Sequence, residues 1–163
     1  MRCVGMLGKG GLVTRKELVS PPIPVPGAQC LRTHVFEYSI IPHSGDWIQA
    51  RSYKYAKNFV APIIAWSAKD KGGELPAQDS LIEVKPDNLV VTAIKKAEDD
   101  DSTVIRFYEV MGKPVNAQIR VRSDYGEAWL TNFNEEKIKP IEIKNGKIEI
   151  PVSAHEIVTI KLT

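Results

Sequence analysis

A thiol and two imidazoles, Cys30, His34 and His43, lie close together in the first third of the chain. A thiolate with two ring nitrogens is a donor set that suits zinc. Their spacing matches no zinc motif, and His34 opens a segment that reads as a strand, so ordinary loop and strand roles fit these residues better. The run Glu98-Asp99-Asp100-Asp101 offers carboxylate oxygens for calcium. It lacks the glycine and terminal glutamate of a calcium loop, and reads as a solvated acidic turn. The expected metal set is therefore empty. Trp47, Trp66 and Trp129 could form a platform for sugar rings, although large aromatics in small domains more often serve the core. Carboxylates are plentiful, but a glycosidase acid/base pair needs two carboxyls at a defined separation in a cleft. No spacing along this chain nominates such a pair.

Other chemistries are poorly supported. Gly8-Lys9-Gly10 lacks the spacing by which a phosphate-binding loop cradles a nucleotide. There is no Gly-x-Ser-x-Gly elbow and no His-Glu-x-x-His pair. Lys and Arg number 22 against 20 Asp and Glu, a net charge of +2 that leaves no footprint for a nucleic acid. No apolar run approaches the roughly 20 residues of a membrane span. The start of the chain does not read as a secretory leader, and Cys3 and Cys30 are too few for a disulfide framework, so the expected location is cytoplasmic.

At 163 residues, 43% apolar and 26% charged, the composition is that of a globular protein with room for one ordinary domain or two small ones. Most of its 11 prolines and 11 glycines fall in the first half. Residues 1–7 could form a short strand before the breaker Gly8-Lys9-Gly10-Gly11. Prolines 21, 22, 24 and 26 remove backbone donors and restrain their neighbours, so this stretch is expected to run extended over a surface. Residues 34–41 read as a strand with Phe36, Tyr38 and Ile40 on one face. Asp46 is placed to cap a helix over 47–59, and 60–66 is expected to be extended.

From residue 81 onward, short β-branched runs alternate with turns: 81–84, 89–94, 103–110, 115–121 and 128–132. Asn145-Gly146 between alternating residues marks a two-residue hairpin. Counting outward sets Ile143 against Ile148 and Ile141 against Ile150 on a buried face. Lys144 then opposes Lys147, and Glu142 opposes Glu149, on a solvated one. A last strand is expected over 155–162. The pattern argues for an antiparallel β-sandwich.

The residue strings themselves resemble a known family. Arg2-Cys3-Val4-Gly5-Met6-Leu7 with Leu12-Val13-Thr14-Arg15 is similar to a final strand and following arginine loop. Pro24-Val25-Pro26-Gly27-Ala28-Gln29, then His34-Val35-Phe36-Glu37-Tyr38, then Pro42-His43, resembles a stretch of bacterial and archaeal α-mannosidases of glycoside hydrolase family 38. The strings at 89–99, 105–109 and 155–162 resemble that family's closing β-sandwich.

The resemblance implies a mostly β chain. Residues 1–80 would be the end of a β supersandwich with one short helix, and 81–163 a small antiparallel β-sandwich. It further implies an accessory C-terminal domain, as a fragment or split subunit of an enzyme that hydrolyses α-mannosidic bonds with retention. The catalytic α/β domain, with its zinc and aspartate nucleophile, has no counterpart here, so no cofactor is expected in this chain and no activity from it alone. The implied partners are that catalytic domain or a second copy meeting an exposed sheet edge, together with mannose-containing glycans. Neither nucleic acid nor membrane is expected. Arg15 and Gln29 are the positions the resemblance brings near the sugar pocket, although bracing an inter-domain surface explains them as well. A stand-alone carbohydrate-binding or oligomerisation module is the alternative.

Overall fold

The computed structural model describes residues 4–8, 13–14, 16–17, 21–67, 72–73, 76–122 and 125–163. The chain divides into two compact units, Met1–Pro62 and Ile63–Thr163. In the first, β1 (Met6–Leu7) pairs antiparallel with β2 (Ile23–Pro24), Met6 facing Pro24 and Leu7 facing Ile23. The proline-rich stretch is thus extended up to Val25, and a single 3-10 turn follows over Pro26–Gln29. Proline begins that turn, where its missing N–H costs nothing.

Two expectations in this unit are corrected. Residues 34–41 form no strand. A strand is made by its ladder, and no described residue pairs with this segment. Phe36, Tyr38 and Ile40 consequently stand 69%, 83% and 81% exposed. The helix α1 covers Ser52–Val60 rather than 47–59. Asp46 does cap locally, its Oδ1 accepting the Gln49 N–H at 2.7 Å. The cap serves a turn over 47–51, because Arg51 adopts a left-handed conformation (φ 52°) that breaks continuity with α1. No residue of α1 is buried.

The described residues of the second unit form nine strands: β3 (Ile82–Lys85), β4 (Leu89–Lys96), β5 (Thr103–Glu109), β6 (Val115–Val121), β7 (Ala128–Thr131), β8 (Lys137–Ile141), β9 (Ile143–Lys144), β10 (Lys147–Val152) and β11 (Ile157–Leu162). They form two antiparallel sheets, ordered β3-β6-β10-β9 and β4-β5-β11-β7-β8. Period-two patterning puts Ile105, Phe107, Val158, Ile160 and Leu162 of one sheet against Ala117, Ile119, Val121, Ile148 and Val152 of the other in a single core. The described chain is therefore mostly β, with one short helix and an antiparallel sandwich. No described helix is long and apolar enough to cross a membrane.

The Asn145-Gly146 turn has φ of 51° and 69°, the positive pair that a two-residue hairpin demands. Lys144 opposes Lys147 and Ile143 opposes Ile148, as the count predicts. The outer half of that count fails. Ile141 pairs with Ala128 in the five-stranded sheet, so the chain changes sheets at Glu142. Ile141 therefore does not oppose Ile150, nor Glu142 Glu149. Both isoleucines still pack on the core, which satisfies the same hydrophobic demand by a different route.

Candidate functional site

Gln29 ends the 3-10 turn with its amide against Gly5, just before β1. A Cβ on Gly5 would lie 2.7 Å from Gln29 Nε2, so a larger residue there would push the glutamine amide aside. The backbone closes the same junction through Val4 N–H to the Ala28 carbonyl (3.3 Å) and Val25 N–H to Gly5 (3.1 Å). Gln29 itself is exposed. Arg15 lies outside the described residues, as does Cys3. Cys30 and His34 spend their polar atoms on the backbone: Cys30 Sγ on the Gly27 carbonyl, and His34 Nε2 on the Cys30 carbonyl at 2.9 Å. His43 Nδ1 meets the Ser44 carbonyl at 3.4 Å. Among the described residues no group of three or more His, Cys, Asp or Glu could hold a metal ion.

The three tryptophans have separate surroundings. Trp47 makes an edge contact with Tyr53, at 6.5 Å between rings. Trp66 is 90% exposed. Trp129 lies on β7, half-buried, with the Lys137 ammonium 4.6 Å over its ring and its indole N–H donated to Glu127 at 2.9 Å. One face of that indole is thus occupied by a cation, a contact that stabilises by about 0.5–1 kcal/mol at exposed sites.

The most heavily liganded carboxylate is Glu109, which sequence reasoning missed. It is fully buried at the end of β5. Oε1 accepts from Asn88 Nδ2 (2.8 Å) and the Met111 N–H (2.8 Å). Oε2 accepts the N–H groups of Gly112 (2.7 Å), Lys113 (3.1 Å) and His155 (3.1 Å). Burial alone would raise its pKa, but the donors from His155, Asn88, Met111 and Lys113 prevail and hold it down at about 2. A carboxylate so saturated has no proton to trade near neutral pH. It ties the 110–113 and 153–156 loops together and is structural. The signal was available: Glu109 falls in the same period-two register as Ile105 and Phe107, an acid on an apolar face.

On the outer face of the five-stranded sheet, the loops at 97–102 and 132–136 fold over Lys161 and Glu135, both buried. Lys161 Nζ pairs with Asp100 at 2.8 Å, and Lys95 with Glu135 at 2.7 Å and with Glu98. Glu135 also accepts the Glu98 N–H at 2.9 Å, joining the two loops. Lys161 is the main cause holding Asp100 below the usual carboxylate range, helped by Ser102, while Lys95 does the same for Glu135. Glu98, Asp100 and Glu135 are each committed to a lysine, so this cluster too is a clamp and not a catalytic pair.

The described concavity with an apolar floor lies between the sheets where the chain changes over at Glu142. It encloses about 330 Å³ and is walled by Leu130, Ile141, Ile150 and Val158 with Pro140 and Pro151.

This sandwich has known counterparts. Residues 88–160 match the family described as "Glycosyl hydrolases family 38 C-terminal beta sandwich domain". Those residues belong to that family. The family 38 sandwich accordingly runs from the turn before β4 to the middle of β11. Similar proteins extend the likeness beyond it. A Halalkalibacterium halodurans protein named "Putative mannosylglycerate hydrolase" is 26% identical over 161 residues, covering 99% of this chain and 16% of its own length. "Alpha-mannosidase 2C1" of Mus musculus is 28% identical over 135 residues, 79% of this chain and 12% of that protein. Its Homo sapiens counterpart is 24% identical over 160 residues, 94% of this chain and 15% of that protein. The chain thus spans 16% or less of the length of these relatives.

Proposed function

We propose that this chain is the accessory C-terminal part of a larger α-mannosidase, a fragment or split subunit that is inactive alone. The observation that carries the proposal is the family 38 sandwich at 88–160, combined with a likeness to mannosidases that reaches back through the first unit. On this reading, residues 1–80 close a supersandwich whose remainder, with the catalytic α/β domain, lies on another stretch of polypeptide. The larger enzyme would hydrolyse α-mannosidic bonds with retention, one carboxylate attacking the anomeric carbon while an acid protonates the leaving oxygen. The zinc expected in such an enzyme finds no ligand set among the described residues. We assign it to the catalytic domain. A cytoplasmic location is part of the proposal, in keeping with the free Cys30 thiol.

The exposed apolar side chains of the first unit support a missing partner. Phe36, Tyr38 and Ile40 alternate along a segment with no ladder, and Tyr55, Phe59 and Val60 stand exposed on α1. Patches of this kind mark surfaces that are covered in the working protein. The covering surface would be the catalytic domain or a second copy of the chain. Arg15 and Gln29 keep their proposed place near the sugar, or as braces of that interface. The test is dye binding and light scattering on the purified chain. Bright anilinonaphthalene-sulfonate fluorescence and self-association are expected, both reduced when Phe36, Tyr38 and Ile40 are replaced by serine. A dark, monodisperse chain would overturn the proposal.

The exposed ring of Trp66 favours a second reading, a stand-alone carbohydrate-binding module. It requires tryptophan fluorescence to saturate with mannose oligomers, and a flat titration would remove it.

A further inference from the structure

The two outward faces of the sandwich differ in kind. On the four-stranded sheet, Glu83, Lys85, Gln118, Arg120, Lys147 and Glu149 alternate with the core residues, an ordinary charged face for water. On the five-stranded sheet, the part left open beside the 97–102 and 132–136 loops is apolar and aromatic around one cation. Tyr108 lies between Val90 and Ile157 in one row, and Arg106 between Ala93 and Thr159 in the next. Phe133, 62% exposed, packs on Arg106, and Ile157 is 53% exposed.

Arg106 stands apart among the cations of this unit. Of its described lysines and arginines, Lys95, Arg106, Arg120 and Lys161 are drawn in from the surface. Lys95 pairs with Glu135, Arg120 with Glu83 and Lys161 with Asp100. Arg106 has neutral partners instead. Its Nε donates to Thr159 Oγ1 at 2.9 Å and its Nη2 to the Phe133 carbonyl at 3.2 Å, with the guanidinium carbon 4.6 Å from the Phe133 ring centre. Two of its five N–H groups are thus used, and no described carboxylate balances its charge. The Tyr108 hydroxyl, on the same face two residues along, has no hydrogen-bond partner among the described residues either. Both edges of this sheet are blunted against an added strand. β4 carries a bulge between Val91 and Ala93, where the Thr92 hydroxyl donates to the Arg106 carbonyl at 3.1 Å, and β8 carries Pro140 with Lys137 and Lys139. A partner is therefore expected on the face.

We propose that this face docks a polypeptide segment in which an aspartate or glutamate is flanked by apolar side chains. The carboxylate accepts from the remaining N–H groups of Arg106 and from the Tyr108 hydroxyl, while the apolar flanks cover Phe133 and Ile157. A guanidinium is more weakly hydrated than an ammonium and grips a carboxylate with two bonds, which suits it to an interface. Arginine and tyrosine are also side chains on which interface energy concentrates. The patch spans three strands, about 10 Å, so a small free anion would leave Phe133 and Ile157 in water. A basic segment would meet an unbalanced cation. The inference is independent of the proposed mannosidase role.

The test uses the purified 163-residue chain and a fluorescein-labelled heptapeptide of serines with a central glutamate and a leucine two residues to either side. Saturable anisotropy is expected, with amide shifts confined to residues 90–93, 106–108, 133 and 157–159. Affinity is expected to fall at least tenfold for Arg106→Gln, and also when glutamine replaces the glutamate of the peptide, a change that leaves the protein untouched. A fall is likewise expected for Phe133→Ser/Ile157→Ser, whose substitutions are on exposed side chains and keep the guanidinium in place. The Phe36→Ser/Tyr38→Ser/Ile40→Ser chain, altered only in the other unit, should bind as the parent does. Equal binding of the glutamine peptide, displacement by millimolar inorganic phosphate alone, shifts elsewhere, or no binding at all would each overturn the proposal.

Discussion

Glu109 and His155, 46 residues apart in sequence, are joined by the His155 N–H donating to Glu109 Oε2 at 3.1 Å. This bond is one of five that converge on a fully buried carboxylate. Glu109→Gln would turn one acceptor into a donor facing N–H groups. A loss of about 2–3 kcal/mol is expected, since each orphaned buried donor costs about 1–3 kcal/mol. Urea denaturation should show a lower midpoint with an unchanged slope. A midpoint within error of the parent would show that water replaces the carboxylate freely.

The same carboxylate sets a pH dependence. Its pKa falls from 4.5 to about 2 on folding, so its contribution is complete above 4.5 and is lost as the pH falls through about 2. Asp100 and Glu135, held low by Lys161 and Lys95, act in the same direction. Unfolding midpoints should therefore drop steadily below pH 4.5, and Glu109→Gln should flatten part of that slope. A parent protein equally stable at pH 5 and pH 2.5 would contradict this.

Gly112 lies where two constraints meet. Its φ is +70°, and a Cβ there would sit 2.7 Å from His155 Nε2. Gly112→Ala is expected to cost about 1–2 kcal/mol from the left-handed backbone alone, plus the clash. His155→Ala in the same chain should recover the clash and not the backbone part, so a double-mutant cycle will show coupling. Strict additivity would mean that the ring moves aside at no cost.

Lys161 and Asp100 should respond unequally. Lys161 is buried, whereas the Asp100 side chain is about half exposed. Lys161→Met leaves Asp100 to water and fills the site with hydrocarbon, so little change in the melting midpoint is expected. Asp100→Asn removes the carboxylate that Lys161 Nζ contacts at 2.8 Å, and should lower the midpoint more. The reverse order would place the energetic weight of the pair on the lysine.

The strands of the sandwich could be read because their information is local. Val90, Val91 and Ile94 on β4, the alternation of β5 and β11, and Asn145-Gly146 each announce an element within a few residues. Residues 34–41 carry the same local signal and form no strand, because a ladder needs a partner that no described residue supplies. The shift at Glu142 escaped for a related reason. Ile141 could satisfy its burial either beside Ile150 or beside Ala128, and pairing with β7 decided it. Glu135 was hidden because the donor that ties it down is distant, the Glu98 N–H across 37 residues, whereas Glu109 showed itself only as an acid on the apolar face of β5. Of the candidate sugar-contacting residues, Gln29 is at a tight junction with Gly5 and Trp129 is engaged by Lys137 and Glu127, contacts that no spacing could foretell.

The most direct measurement is turnover of an aryl α-mannoside by the purified 163-residue chain, with and without added zinc. Release of the aryl group at the rate of buffer alone is expected in both cases, because the hydrolytic carboxylates are assigned to a separate catalytic domain. Zinc-stimulated release that scales with protein concentration and survives repurification would contradict the accessory role.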